Sequence, residues 1–294
     1  MPMQQPNRGH AAMLAFSALI AGSFSLGRLS VPYIEPAALN VARFGLAFVV
    51  ATFVALAMGR LPRRSFHALW RYAILGGLFA IYFVTMFEAL KTVAPVSTAA
   101  VFTLTPLLTA VLGRVFFRQP FGPRVALALL AGAIGAIWMI FRGDLAALRA
   151  LELGRGEIIF GFGCLAHAIY PLATRALSRG EPAIAVNVGM LAAGFMWLLA
   201  YGWADVASTP WATLPPIVWI TILYTSVGSG VMTFTLLQYA SMQLPGGKVM
   251  AYTYLVPAWV VVWEMALGSS SLPWAMVPGL AMTAAALVVL MRDR

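Results

Sequence analysis

The sequence predicts an all-α polytopic membrane protein, ten transmembrane helices built as two inverted five-helix repeats. Three observations predict it. Hydrophobic residues are 62% of the 294 positions and charged residues 10%, with a mean hydropathy of +0.88; soluble chains are about 45–50% apolar and about 25% charged. Ten apolar stretches of spanning length follow one another. The second half of the chain weakly echoes the first. So few charged side chains cannot clothe a water-soluble core of this size, so lipid must be the solvent. A soluble enzyme, a DNA-binding module and a secreted scaffold are excluded together.

A helix crossing the hydrocarbon core needs roughly 20 mostly apolar residues. Such stretches run over 11–27, 37–58, 68–88, 95–117, 124–141, 157–177, 183–203, 214–240, 248–267 and 273–291. The loops and tails left over are short, and no soluble catalytic domain fits in them. A β-barrel strand would alternate polar and apolar residues; the run from Ala126 to Gly132 does not. The first stretch has Arg8 before an apolar run, as a signal peptide would, but its pairing with a later helix marks it as retained. Cys164 is the one cysteine, so no internal disulfide forms.

Charge sets the orientation. Thirteen Lys and Arg residues fall on the side of the N-terminal tail and five on the other, with Arg43 inside a span. By the positive-inside rule both termini are cytoplasmic. The formal net charge of +10 is therefore an orientation signal with secondary attraction to anionic lipid, and no nucleic-acid partner is expected.

The repeat is read from ordered matches. Glu35-Pro36-Ala37 opens the second helix and Glu181-Pro182-Ala183 the seventh; Arg28 closes the first and Arg175 the sixth. Gly77 and Gly228, Ala89 and Ala240, and Pro106 and Pro257 follow in the same order at a constant separation. Each Glu-Pro suits a helix start, with proline in the first turn and a carboxylate at the positive end. Residues 1–146 and 147–294 are the expected halves. Five helices is an odd number, so the second half enters from the opposite face, and a binding site near the midplane is expected between the halves.

The stretch Ala89-Leu90 followed by Thr105-Pro106-Leu107, its echo in Ala240 and Val256-Pro257-Ala258, and Pro36 with Arg43-Phe44 resemble the drug/metabolite transporter superfamily and its EamA-type exporters. Within it the chain is most similar to amino-acid exporters of the YddG type. Where those families commonly carry Leu-Gly-Glu, this chain has Phe117-Arg118-Gln119 and Leu267-Gly268-Ser269. The resemblance implies export of small metabolites, chiefly neutral or aromatic amino acids, across a bacterial inner membrane. It also implies two halves rocking about a cavity lined by helices one, three, four, six, eight and nine.

Ionisable groups at mid-membrane are costly and mark function by default. Arg43 sits some six residues inside helix two, about 9 Å deep at 1.5 Å per residue. Glu88 and Glu264 lie at similar depth on helices three and nine, so the three are candidates for a charge pair, an outer gate or a headgroup contact. His167, near the midplane of helix six, with Tyr170 a turn later, is either a proton carrier or an interhelical hydrogen bonder. Asn187 and Gln238 pose the same alternative. Pro106 and Pro257 each remove an intrahelical hydrogen bond and free the carbonyl four residues back, at Phe102 or Thr253. Broken helices at matching places in two inverted halves point to a substrate path. Lys248, Tyr252, Val256, Trp259 and Trp263 share one face of helix nine. That stripe would receive a carboxylate and stack an apolar side chain, or else pack against neighbours and lipid. Tyr82 and Tyr224, on helices equivalent by the repeat, complete the cavity candidates.

Catalysis is not expected. The aspartates Asp144, Asp205 and Asp293 lie in loops or tails, no His-Glu-x-x-His run offers a metal site, and no phosphate loop binds ATP. Both lysines sit near helix ends, and Gly228-Ser229-Gly230 lacks an oriented base. No cofactor and no ATPase subunit are implied. The partners are a small-molecule substrate, an amino acid or related metabolite, and the lipid bilayer. Two other readings remain open from sequence: an exporter of organic cations, which would want a carboxylate in the cavity, and a membrane enzyme acting on lipid.

Overall fold

The computed structural model describes residues 6–118, 122–150, 152–244, 249, 251–268 and 274–292. Ten helices follow in chain order. They are α1 (Pro6–Ser30), α2 (Pro36–Ala57), α3 (Leu69–Leu90), α4 in two pieces (Pro95–Phe102 and Thr105–Phe117) and α5 (Pro123–Ile140). The second half holds α6 (Arg155–Leu177), α7 (Ala183–Ser208) and α8, which runs continuously through Pro216–Leu223, Tyr224–Met232 and Thr233–Gln243. Then come α9, a 3-10 turn Tyr252–Leu255 leading into Val256–Ala266, and α10 (Val277–Arg292). Among the described residues, nine helices are long and apolar enough to span a membrane; the described part of α9 is shorter. In the stretch expected at 248–267, the 3-10 turn gives way to α-helix at Val256.

Prolines start the helices. Pro36, Pro95, Pro123 and Pro216 each occupy a first-turn position, where the missing N–H costs nothing. Between α5 and α6 the short helix Leu145–Ala150 is capped by Asp144, whose Oδ1 accepts from Ala146 N (2.7 Å) and Ala147 N (3.2 Å). α3 meets α7 backbone to backbone. A Cβ built on Gly76 would strike the Gly194 nitrogen and lie 2.7 Å from the Met190 carbonyl oxygen, so the approach requires glycine.

The middle of α8 is a π-helix over Tyr224–Met232, a feature the apolar pattern did not predict. Hydroxyls on this stretch turn back onto carbonyls one turn earlier: Thr225 to Thr221 (2.6 Å), Ser226 to Ile222 (2.6 Å) and Thr233 to Ser229 (2.8 Å). Such side chains compete with backbone donors for the same carbonyls and loosen the helical ladder. π segments are frequent at functional sites.

The start of α1 and the end of α10 lie at one face, here called the terminal face. His10 near the start of α1 shares a 3.0 Å hydrogen bond with Tyr252 at the start of α9, and Met291 near the end of α10 packs on the same small core as Met13. The two faces are built differently. Toward the face opposite the termini, one core joins α1, α2, α3, α4, α5, α6, α8 and α9 through residues including Phe24, Leu39, Phe87, Phe102, Met139, Phe160, Ile222 and Val260. Toward the terminal face the core divides into separate parts, the first of which extends back along α2 as far as Val41. One part gathers α2, α3, α6 and α7, touching α8 at Val231; a second gathers α1, α8 and α9; a third gathers α5, α9 and α10.

Candidate functional site

A cavity of about 190 Å³ lies where the single core ends and the divided cores begin. Aromatic rings make most of its wall. His167 of α6 sits 4.6 Å from Tyr82 and 5.3 Å from Phe102, centroid to centroid. Phe79 meets Tyr170 edge-on at 4.2 Å, and Tyr82 meets Phe83 at 4.7 Å. Phe16 and Phe24 of α1, Phe44 of α2 and Phe234 of α8 complete the aromatic lining. Edge-to-face packing of this kind holds rings in fixed positions. His167 Nδ1 is buried and has no hydrogen-bond partner.

Arg43 is the cavity's cation, and it is 3% exposed. Its guanidinium carbon lies 3.8 Å from the Phe83 ring centroid, a cation–π contact. Nη2 donates to the Thr225 carbonyl on the π segment at 3.2 Å, and the Ser226 hydroxyl, whose one proton is shared with the Ile222 carbonyl, lies 3.0 Å from the Arg43 carbonyl. The π segment thereby ties α2 to α8. Nη1 is buried without an acceptor. The lining contains no Asp or Glu among the described residues.

The sequence candidates separate on this geometry. Tyr82, His167 and Tyr170 line the cavity, and so does Asn187. Tyr224, Tyr252, Trp259 and Trp263 instead face α1. Tyr224 Oη donates to the Leu19 carbonyl (2.8 Å), Trp263 Nε1 to the Ala18 carbonyl (3.1 Å) and Trp259 Nε1 to Ser17 Oγ (3.1 Å). Of the stripe read on helix nine, Tyr252, Trp259 and Trp263 face α1; buried indole and phenol groups need hydrogen-bond partners, and α1 is the neighbour that supplies them. Lys248 lies outside the described residues. Pro106 and Pro257 each stand at the second residue of a helical piece that restarts after a break. They do not line the cavity, yet Phe102 and Thr253, four residues before them, do.

Arg43, Glu88 and Glu264 are not brought together. Among the described residues, the ion pairs are Arg71–Glu181, Lys91–Glu35 and Lys91–Glu88. Glu88 is drawn to Lys91 at 3.3 Å because that ammonium lies one turn further along the same chain, and Glu264 is half-buried on α9. Sequence reasoning also placed α2 and α7 outside the cavity wall. Arg43, Phe44 and Ala47 of α2 and Asn187, Met190 and Leu191 of α7 line it, since the glycine contact draws α7 onto α3. Phe79 and Phe83 were missed as well; they share a helical face with Tyr82 and Met86, the signal that would have found them.

The duplicated Glu-Pro motif has two fates. Glu181, at the terminal face, accepts from Arg71 Nη2 at 2.5 Å and from the Arg179 N–H at 2.8 Å, while Arg71 Nη1 donates to the Leu177 carbonyl at 2.7 Å. The Arg71 hydrogen bond takes the Glu181 pKa down to about 2, against the opposing effect of burial. Glu35, at the other face, meets Lys91 at 2.6 Å with both side chains substantially exposed. Burial alone would lower the Lys91 pKa; the hydrogen bond that Lys91 donates to Glu35 and the charge of Glu88 outweigh it and raise the value. Beside this pair Arg28 Nη1 donates to the Leu90 and Lys91 carbonyls at 2.6 and 2.8 Å, satisfying the end of α3.

The profile of the EamA-like transporter family matches residues 7–141 and again 154–292, one match on each five-helix half. The chain is similar to "Uncharacterized transporter YyaM" of Bacillus subtilis (strain 168), 22% identical over 260 residues, which cover 87% of this chain and 85% of that one. A solved crystal structure shares the fold with a TM-score of 0.69 at 19% identity, over 96% of this chain and 97% of that one. Ten helices in two repeats, a cavity between them and a family match along nearly the whole length agree: the chain belongs to the EamA-like transporter family, whose members are membrane transporters of small molecules rather than enzymes.

Proposed function

We propose that the protein is a secondary transporter that exports small metabolites, chiefly neutral and aromatic amino acids, across a bacterial inner membrane by alternating access. The carrying observation is the aromatic cavity placed between one continuous core and one divided core. In this reading the continuous core is a closed gate, and the divided cores open the cavity toward the termini. The positive-inside charge bias makes that face cytoplasmic. The sequence holds no phosphate loop, so movement follows the substrate gradient or a coupled ion. Pro106 and Pro257 act as the hinges that let each half rock, and Tyr82, His167 and Tyr170 hold the apolar body of the cargo. An organic-cation cargo is disfavoured, because the cavity already presents a cation and offers no carboxylate among the described residues.

The test is uptake into liposomes carrying the purified protein. Labelled phenylalanine, tryptophan or methionine is expected to equilibrate faster than in empty vesicles, and Tyr82→Ala is expected to slow it at least tenfold. If no amino acid in a full panel moves, with or without an imposed pH gradient, the amino-acid reading is wrong.

A further inference from the structure

Resting on the transport reading above, we propose that the cavity recognises its cargo through a carboxylate held on Arg43. The substrate class is then carboxylic acids with an apolar or aromatic body, and an amino group is dispensable. Arg43 is buried, lines the cavity and takes part in none of the ion pairs among the described residues. A buried cation without a counter-charge is costly, and its neighbours only partly relieve it: one face rests on Phe83 and Nη2 is spent on the Thr225 carbonyl. Nη1 is left without an acceptor. A guanidinium presents donors in a planar fork that fits a carboxylate, so an arriving acid supplies both the missing charge and the missing acceptor.

The same cavity makes no corresponding provision for an ammonium group. Its described lining has no Asp or Glu, and a second cation would be repelled by Arg43. The unpartnered His167 Nδ1 offers one hydrogen bond, which a ligand hydroxyl, carbonyl or amine satisfies equally. Aromatic and branched hydroxy or oxo acids therefore fit at least as well as the matching amino acids do.

The experiment measures equilibrium binding of 3-phenylpropionate, phenylalanine and phenethylamine to the purified full chain, wild type and with Arg43→Gln or Arg43→Lys. Expected are binding of 3-phenylpropionate at least as tight as that of phenylalanine, and binding of phenethylamine at least tenfold weaker than either. Arg43→Gln should abolish the preference for acid over amine, and Arg43→Lys should retain it; a merely structural role for Arg43 would weaken all three ligands alike. Phenethylamine binding as tightly as the acids overturns the proposal, and so does an acid preference that survives Arg43→Gln. Phenylalanine bound while 3-phenylpropionate is not also overturns it, and leaves amino-acid transport standing. Binding of none of the three overturns both. Should Arg43→Gln fail to fold, the wild-type panel alone decides.

Discussion

Glu181→Gln is expected to destabilise the protein, while the same change at its repeat partner, Glu35→Gln, is expected to do almost nothing. The two carboxylates precede the same Pro-Ala in sequence, but the Arg71–Glu181 side chains are 4% and 7% exposed and those of Lys91 and Glu35 are 32% and 58%. The Glu181 pKa falls from its ordinary 4.5 to about 2, which at 1.36 kcal/mol per pKa unit sets a ceiling of roughly 3.4 kcal/mol. The pair sits at the membrane rim, where water and headgroups screen it, so about 1–3 kcal/mol is the working figure. For a chain of this size that is roughly 2–6 °C in Tm; the exposed pair is worth about 0–1 kcal/mol. The assay is thermal unfolding in detergent from pH 7 to pH 2. The folded-state pKa lies below the unfolded one, so the stabilisation is complete above about pH 4.5 and is lost as pH falls toward 2. The gap between wild type and Glu181→Gln should hold from pH 7 to about 5 and close below. Equal losses for Glu35→Gln and Glu181→Gln at pH 7, or a gap that does not change with pH, would refute the assignment of the buried pair.

Three further outcomes follow from particular contacts. Gly76→Val places side-chain atoms on the α7 backbone at Gly194 and should cost about 1–3 kcal/mol, read as lower Tm and yield; an unchanged Tm would show that α3 and α7 do not meet there. Trp263→Phe removes the donor to the Ala18 carbonyl, worth about 0.6 kcal/mol in a membrane bundle, and should leave substrate affinity within twofold; a tenfold loss of affinity would return that face to the cavity. Phe234→Cys, in the cavity wall, should react with a membrane-impermeant maleimide added on the terminal side, while Phe87→Cys, fully buried in the continuous core, should not. Cys164 is buried and contributes little background, and the reverse pattern would show the opposite face open.

The sequence alone determined the lipid solvent, the succession of ten helices, the repeat and the places where α4 and α9 break, because each follows from local facts. Spanning length depends on a run of apolar residues, inversion follows from an odd helix number, and a proline inside a span removes a hydrogen bond wherever it sits. Tertiary structure alone decided which polar groups meet the cavity. Periodicity showed that Tyr252, Trp259 and Trp263 share a face, but not that α1, with Ser17 and the Ala18 carbonyl within reach, would be the neighbour. It placed Arg43 at depth without showing that Phe83 and the Thr225 carbonyl, rather than Glu88 or Glu264, surround it. The π segment of α8 coincides with hydroxyls that bond backbone acceptors one turn earlier, a feature that leaves no mark on a hydropathy pattern. The two Glu-Pro motifs are alike as sequence and differ in burial because Arg71, itself anchored on the Leu177 carbonyl, closes over Glu181, whereas Glu35 meets the partly exposed Lys91. The tertiary contacts among these join residues far apart in the chain, from Arg43 and Phe83 to Trp263 and Ala18, and only the packed bundle sets the dielectric and the partners that each group finds.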